Sequence, residues 1–238
     1  MSPMSPQTLR PRASGFNPKS ISGLAGWWDF NDAATVTVQT GISSVLDKSG
    51  NGRTLLQTTT NNQPAWTANA INGKYAAVFD GMNDTLGASF TLAQPCHHFI
   101  VFKFNTAYVS GNPRVFDGYG VSAGFTRASA ISMVTNYGGS NDNAAVTDLE
   151  MQSFAVWDIE ANGASSFIRS AGVRRDSTDT SIGTSAPSGI YLAVFNNGFS
   201  APGNISVAEV LIYSQALSAA SATKVREYLG KKFNLAYA

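Results

Sequence analysis

Short apolar segments separated by turn residues make up most of the chain. They are rich in Val, Ile, Phe, Tyr and Thr, and Asn-Gly, Asp-Gly, Ser-Gly or Gly-Asn pairs bound them. These features are typical of β-strands joined by tight turns. Since no helical pattern lies between successive segments, the chain is predicted to form an all-β antiparallel two-sheet sandwich and not a parallel α/β sheet. The clearest segments are HFIVFKF (98–104), FAVWDIE (154–160), GIYLAVF (189–195) and SVAEVLIY (206–213).

One helix is predicted at the end of the chain, in ALSAASATKVREYLGKKF (216–233). Ser218 is a favourable N-cap, and Gly230 is a favourable residue just after a helix. The apolar stripe between them is short. We therefore expect a helix over residues 218–230 that lies against the edge of the sandwich.

The first twenty residues differ from the rest in composition. Four prolines disfavour a helix, and three basic residues without an acidic one give this segment a charge of +3, against −2 for the remainder. We predict an extended basic N-terminal arm over residues 1–21, followed by one domain over residues 22–238.

The overall charge and the cysteine content exclude several classes of protein. A net charge of +1 on 238 residues argues against a protein that binds duplex nucleic acid, which needs a concentrated basic face. The single cysteine, Cys96, excludes an internal disulfide and is predicted to be a small buried apolar group. No signal-peptide pattern and no apolar run of membrane-spanning length is present, so we expect a soluble protein.

Several segments together resemble a known family. In order and spacing they are similar to the LamG-like, concanavalin A-like lectin/glucanase jelly rolls, of the type found in bacteriophage structural proteins, tail fibres and adhesins. The resemblance extends over roughly residues 22–235, and its most specific part is the strand, turn and helix that close the chain. The segments are GLAGWWDF (23–30), VLDKSGNGRTLLQ (45–57), QPAW (63–66), NGKYAAVFDGMNDTL (72–86) and SVAEVLIYSQALSAASATKVREYLGKKFNL (206–235).

The resemblance implies a jelly roll with two stacked antiparallel sheets of six or seven strands each. The family uses this fold for glycan or protein recognition, and the resemblance does not imply catalysis. Because a fold by itself is a poor guide to function, any role has to be argued from a site.

The stretch FDGMNDTL (79–86) holds the candidate metal ligands. Asp and Asn side chains bind nearby backbone amides in turns, and Gly81 tolerates a positive φ, so a structural turn is the favoured interpretation. Calcium is the alternative, because the oxygens of Asp80, Asn83 and Asp84 are suitable hard ligands, although the acid spacing of an EF-hand is absent. We predict no required cofactor.

A catalytic carboxylate pair is the feature that an enzyme of the glucanase type needs. The E-x-D-x-E-type motif of such enzymes does not occur here, and the only candidates on a strand are Asp158 and Glu160. Their spacing of two places both on one face of the strand, which we predict to be a solvated outer face.

His97 and His98 are adjacent and should point to opposite faces, so they cannot bind one metal together. We therefore predict that the chain is not an enzyme.

Three loops have the composition of a sugar-binding surface, in which aromatic faces stack on the sugar and Asn, Asp and Gly bond its hydroxyls. They are FDGYG (116–120), TNYGGSNDN (135–143) and FNNGFSAPGN (195–204), and ordinary turn chemistry gives the same residues. The candidate glycan-binding residues are Tyr119, Tyr137, Asn141, Asn197 and Phe199.

The N-terminal arm supplies a competing role. The apolar side chains of Leu9 and Phe16 could anchor the arm by packing against a partner protein. Arg10 and Arg12 could bind acidic groups on a capsid or other virion protein. We therefore predict a bacteriophage virion protein, made in the host cytoplasm, that decorates the capsid or forms a head fibre and displays a lectin-like domain on the particle surface. A homotrimer is compatible with this role.

Two alternatives remain open. One is a tail-associated carbohydrate-binding adhesin that recognises a host surface glycan. The other, less favoured, is a glycan hydrolase or lyase that uses Asp158 and Glu160.

Overall fold

The computed structural model describes residues 15–118, 122–176, 181–195 and 200–237. No helix in these ranges is long and apolar enough to cross a membrane. The helices are α1 (Asp148–Met151) and α2 (Ala219–Phe233), and short 3-10 turns lie at Pro18–Ser20, Thr60–Asn62 and Gly163–Ser165. The strands are β1 (Leu24–Asp29), β2 (Val36–Val38), β3 (Ile42–Val45), β4 (Leu55–Leu56), β5 (Ala65–Ile71), β6 (Lys74–Val78), β7 (Leu86–Ser89), β8 (Cys96–Phe104), β9 (Arg114–Asp117), β10 (Gly124–Ser129), β11 (Ser132–Asn136), β12 (Asp142–Ala145), β13 (Ala155–Ala161), β14 (Phe167–Ser170), β15 (Val173–Arg174), β16 (Gly189–Leu192) and β17 (Ile205–Tyr213).

The strands form two antiparallel sheets, which confirms the predicted sandwich. The eight-stranded sheet has the order β15-β14-β13-β8-β17-β6-β5, with β1 also paired to β17. The nine-stranded sheet has the order β12-β11-β10-β9-β16-β7-β4-β3-β2. Each sheet is larger than the six or seven strands that the family resemblance implies, because short edge strands extend both sheets.

The main core lies between the sheets and follows the two-residue period of the strands. On β8, His98, Ile100 and Phe102 point into this core, and the His98 ring stacks on Phe116 at a centroid distance of 4.9 Å. Burial, followed by the nearby His97, lowers the pKa of His98 to about 3. Cys96 is buried as predicted, and burial raises the pKa of its thiol to about 12.

Helix α2 covers the outer face of the eight-stranded sheet. Val225, Leu229 and Phe233 on the helix pack against outward-facing side chains of the central strands, among them Phe99 and Leu211. Every residue of β17 is therefore buried, because one face of this strand meets the other sheet and the opposite face meets the helix. The prediction that the helix lies at the sandwich edge was wrong: its apolar stripe, although short, lies over the central strands.

The ends of α2 agree in part with the prediction. Ser218 is the N-cap, as predicted, and its side chain accepts a hydrogen bond from the Ser221 N–H. Gly230 does not end the helix, which continues to Phe233 and is capped by Asn234 in the left-handed conformation with φ 54°. Gly230 is needed for packing, since a Cβ there would lie 2.1 Å from Cδ1 of Tyr237.

Residues 15–21 pack onto the domain and are not a free extended arm. The Tyr213 hydroxyl donates a hydrogen bond to the Pro18 carbonyl at 3.2 Å, and the Phe16 ring lies 6.0 Å from the Tyr228 ring. The prediction that Phe16 anchors a partner is corrected here, because its ring packs on the helix of its own domain. Leu9, Arg10 and Arg12 lie outside the described residues.

The prediction of a solvated face at Asp158 and Glu160 was wrong. Asp158 is fully buried beneath α2, where His97 Nε2 lies 2.9 Å and Arg226 Nη1 lies 2.5 Å from its carboxylate. Glu160 lies on the same face of β13 as Asp158, as predicted, and its carboxylate lies 3.4 Å from His97 Nδ1. Burial alone would raise the pKa of Asp158, but the hydrogen bonds and charges of His97 and Arg226 outweigh burial and lower it. His97 and His98 do point to opposite faces, as predicted.

A second buried network joins α2 to the same sheet. The Glu209 carboxylate, fully buried on β17, accepts hydrogen bonds from Trp27 Nε1 at 2.6 Å, Tyr228 Oη at 2.9 Å and Lys232 Nζ at 2.6 Å. Lys232 also lies 2.6 Å from Asp29. Burial raises the pKa of Glu209 in spite of the Lys232 charge. The two networks fix the position of the helix on the sheet.

The neighbouring residues Lys231 and Lys232 test this network. Lys232→Met leaves the buried Glu209 carboxylate without its cation, while Asp29 keeps Lys48 at 2.9 Å, so the free energy of unfolding should fall by about 3 kcal/mol. Lys231→Met removes the exposed Lys231–Glu227 pair at 3.0 Å and a distant contact with the Tyr237 ring, and should lower the free energy of unfolding far less, because exposed ion pairs are screened by water. Urea unfolding of the full chain measures both, and equal losses would contradict the structural role of the Glu209 network.

Candidate functional site

The described parts of the three loops that resemble a sugar-binding surface all border strands β9 to β11 of the nine-stranded sheet. Strands β9, β10 and β11 are neighbours in that sheet, and the loops at 116–118 and 135–143 begin at the ends of β9 and β11. The third loop joins them at β9, because the Arg114 N–H donates to the Ala201 carbonyl at 3.0 Å and the Arg114 guanidinium carbon lies 4.6 Å from the centre of the Phe195 ring.

A groove of about 310 Å³ lies over these three strands. Its walls are mainly amides and hydroxyls, with one guanidinium and two small apolar side chains. The lining residues are Asn112, Arg114, Ser122, Thr126, Ala128, Val134, Asn136 and Asn141.

The alternation of side chains along the strands places these groups on the outer face. On β11, Met133 points into the core between the sheets, whereas Val134 and Asn136 point outward and line the groove. On β10, Phe125 points inward and Thr126 outward in the same way. The floor of the groove is therefore held rigidly by paired strands.

Asn136 and Asn141 brace the turn at one end of the groove. Asn136 Nδ2 donates to the Gly139 carbonyl at 2.7 Å and to Asn141 Oδ1 at 3.1 Å, and Asn136 Oδ1 accepts from the Gly138 N–H at 2.9 Å. Both N–H donors and the oxygen of the Asn136 side-chain amide are therefore hydrogen-bonded within the turn. The exposed side-chain NH₂ of Asn141 and the whole side-chain amide of Asn112 have no hydrogen bond to the described residues, and both face the groove.

Arg114 and Asp117 supply the charges at this site. Asp117 is fully buried, and its Oδ1 accepts hydrogen bonds from the N–H groups of Gly118 at 2.9 Å and Ala123 at 2.8 Å. Its Oδ2 lies 3.7 Å from Arg114 Nε, which is an ion pair without a hydrogen bond. Burial lowers the pKa of Arg114, and the Asp117 charge opposes this shift.

An aromatic ring extends this face beyond the groove. Tyr191 on β16 pairs in register with Asp117 on one side and Gly87 on the other. A Cβ at Gly87 would lie 2.2 Å from Cε1 of Tyr191, so the glycine allows the ring to lie against the strand. Tyr191 is half-buried in this position.

The predicted glycan-binding residues have different outcomes. Asn141 lines the groove, whereas Tyr137 is fully buried with its ring 6.5 Å from the His98 ring, so the expectation that Tyr137 stacks on a sugar was wrong. Tyr137 is the first residue after β11. It faces the core because inward-facing positions recur every second residue from Met133 onward. Tyr119, Asn197 and Phe199 lie outside the described residues.

Five polar groove residues were missed from the sequence: Asn112, Arg114, Ser122, Thr126 and Asn136. RVFD does not alternate, because Val115 and Phe116 both lie in the core and the strand register shifts there. The alternation in SMVTN was a usable signal, since it places Asn136 on the face opposite the core residue Met133. It could not show that these strands are neighbours, because strand pairing depends on contacts between distant segments.

The stretch 79–86 forms the predicted turn. Asp80 Oδ1 accepts from the N–H groups of Met82 at 2.8 Å and Asn83 at 3.2 Å, and Asp84 Oδ2 accepts from the Asp80 N–H at 2.9 Å. Gly81 has φ 76°, as the turn requires. Burial, followed by the charge of Asp80, raises the pKa of Asp84. Within the described ranges, no group of three or more His, Cys, Asp or Glu side chains could hold a metal ion.

The comparisons with known proteins show a shared fold. No family model and no curated protein matches the sequence. The structure of Trypanosoma rangeli sialidase in complex with sialic acid matches 90% of this chain with a TM-score of 0.61 at 10% identity. The binding domain of Paraclostridial Mosquitocidal Protein 1 matches 89% with a TM-score of 0.59 at 11% identity. The ligand-binding domain of botulinum neurotoxin serotype D, in complex with N-acetylneuraminic acid, matches 88% with a TM-score of 0.59 at 8% identity.

These matches show the concanavalin A-like β-sandwich and correct one prediction. The chain spans 34% of the sialidase and about half of each toxin structure, 52% and 51%. The prediction that the chain is not an enzyme, which was based on the missing carboxylate motif, is contradicted by these matches, because the chain shares its fold with sialidases. An identity of 10% shows the fold alone and not sialidase activity in this chain.

The turn at Asp80 gives a test against the calcium alternative. Asp80→Ala removes the acceptor for several backbone amides and should lower the free energy of unfolding by about 1 kcal/mol. Asn83→Ala is the matched control, because the Asn83 side chain makes no hydrogen bond to the described residues. Thermal unfolding with millimolar calcium or with EDTA should give equal midpoints. A midpoint that rises with calcium in the unsubstituted protein, and not in the Asn83→Ala variant, would favour a metal site.

Proposed function

We propose that this protein is a lectin-like domain that binds a glycan in the groove over β9, β10 and β11. The observation that carries this proposal is the composition of the groove: exposed amides of Asn112 and Asn141, the Thr126 and Ser122 hydroxyls and the Arg114 guanidinium. Sugar hydroxyls both donate and accept hydrogen bonds, and amides offer both functions side by side.

The rigidity of the groove supports the same proposal. Its floor belongs to three paired strands, and the Thr126 hydroxyl donates to the carbonyls of Asn112 at 2.9 Å and Pro113 at 3.0 Å. These bonds hold the chain at the entrance to β9. A preformed site loses less conformational entropy on binding, which matters for ligands as polar as sugars.

The comparisons support the proposal at the level of the fold. Two of the matching structures are complexes with sialic acid or N-acetylneuraminic acid, and two are binding domains of toxins. Carbohydrate binding therefore occurs among proteins that contain this fold.

Binding to a glycan array, followed by calorimetric titration of the best ligand, tests the proposed site. The double variant Asn112→Ala, Asn141→Ala removes two exposed amides and should weaken binding at least about tenfold, since each hydrogen bond contributes about 1 kcal/mol. The matched control is Asn61→Ala, an exposed asparagine that lies in the chain between β4 and β5, away from the groove strands. Unchanged affinity in the double variant would remove this groove as the site, and an array without signal would overturn the proposed function.

We also propose that the domain is displayed on the surface of a bacteriophage particle, as a capsid decoration or head-fibre protein or, alternatively, as a tail adhesin. The family resemblance of the sequence supports this role. So does the placement of Gly15 and Phe16 beside α2, on the face of the sandwich opposite the groove. An N-terminal attachment on that side would leave the groove open to the surroundings.

Quantitative mass spectrometry of purified particles tests the virion role. Copies comparable in number to the major shell subunits indicate decoration, and a handful per particle indicates a tail or vertex appendage. If the basic segment attaches the domain, Arg10→Ala with Arg12→Ala should lower the copy number and leave glycan binding unchanged. Absence of the protein from particles would overturn this proposal without affecting the glycan-binding proposal.

A further inference from the structure

The groove contains a single charged side chain among its lining residues. Arg114 lies on β9, and the other lining residues are neutral amides, hydroxyls and small apolar side chains. A site for a purely neutral sugar does not need a cation, so the surroundings of Arg114 bear on the chemical class of the ligand.

The Arg114 side chain is largely buried without a hydrogen bond. It is 13% exposed, and its guanidinium makes no hydrogen bond to any residue in the described ranges. The ring of Phe195 lies beside the guanidinium at 4.6 Å, and the Asp117 carboxylate approaches only Nε, at 3.7 Å. Since Asp117 Oδ1 accepts the N–H groups of Gly118 and Ala123, this carboxylate is also held by its own loop.

Buried guanidinium groups normally use their N–H donors, because leaving such donors unsatisfied costs free energy. In Arg114 only Nε is a buried donor without a partner, while the Phe195 ring and Asp117 position the guanidinium at the wall of the groove with Nη1 and Nη2 not hydrogen-bonded to the described residues. The strongest partners for the planar guanidinium are carboxylates and phosphates, which accept two parallel N–H donors, and carboxylates are the acidic groups of the nonulosonic and uronic acid sugars.

We infer, resting on the proposed function, that the glycan bound in this groove carries a carboxylate and that Arg114 binds this carboxylate through its N–H donors. Carboxylated sugars include the nonulosonic acids and the uronic acids. The amides of Asn112 and Asn141 bind the hydroxyl or N-acyl groups of the same sugar. A volume of about 310 Å³ lies at the lower end of small-molecule sites and suits one terminal sugar unit better than a long chain.

Calorimetric titration of the full chain with three probes tests this inference. The probes are 3′-sialyllactose, digalacturonate and lactose, so that two carry a carboxylate from different sources and one is neutral. At least one acidic probe should bind at least tenfold more tightly than lactose, and the tighter of the two identifies the source. Arg114→Gln should abolish this preference by weakening the binding of the acidic probe at least tenfold, whereas Arg114→Lys should retain part of the preference, because the charge remains and the planar fork is lost.

Arg169→Gln is the matched control. Arg169 also lies beside an aromatic ring, with its guanidinium carbon 4.2 Å from the Phe167 ring, and it has a similarly long contact of 3.9 Å to Asp158, but it lies on the other sheet. This variant should keep the full preference. Circular dichroism and the unfolding midpoint show whether each variant is folded.

The outcomes separate this inference from the proposed function. If the chain binds lactose or another neutral glycan as tightly as the acidic probes, or if Arg114→Gln keeps the preference, the carboxylate inference is overturned and the glycan-binding proposal stands. If neither the probes nor a glycan array gives binding, both are overturned.

Discussion

The fold depends on the burial of the outer face of the eight-stranded sheet beneath α2. Strand β17 pairs with β8, β1 and β6, and all of its residues are buried. A carboxylate in such a strand is costly unless it is paired, and Glu209 meets this condition only with Lys232, Tyr228 and Trp27 in place. The helix must therefore lie in one position on the sheet, since a shift would leave Glu209 buried and unpaired.

The same arrangement leaves the nine-stranded sheet as the face on which a ligand can bind. The outward positions of the eight-stranded sheet beneath the helix combine apolar side chains, for example Phe99 and Leu211, with the paired carboxylates of Asp158 and Glu209. The outward positions of β10 and β11 include Thr126 and Asn136, which line a groove and which no helix of the described residues covers. The two outer faces thus differ in whether a helix covers them, and this difference separates the part of the surface that stabilises the fold from the part that can recognise a partner.

Local patterns in the sequence predicted the strands, the antiparallel sandwich and the N-cap of α2, because each depends on residues close together in the chain. The burial of Asp158 could not be predicted in this way, since its partner Arg226 lies 68 residues further along the chain. Tyr137 was misplaced because TNYGG reads as a loop, although its spacing from Met133 is that of inward-facing strand positions. For the groove, the loop compositions led to Asn141, but the role of Arg114 required knowledge of which strands are neighbours.

The contrast among the buried cations gives Arg114 its significance. Arg226 and Lys232 each form a hydrogen bond to a buried carboxylate, at 2.5 Å and 2.6 Å, and these contacts hold α2 in place. Arg114 is nearly as buried but contacts its carboxylate only at 3.7 Å and without a hydrogen bond. Arg226 and Lys232 each make at least one hydrogen bond, although Arg226 Nε is also without a partner, whereas the Arg114 guanidinium makes none to the described residues. The donors of Arg114 can instead bind a group that enters the groove from outside, and a carboxylate accepts two of them in parallel.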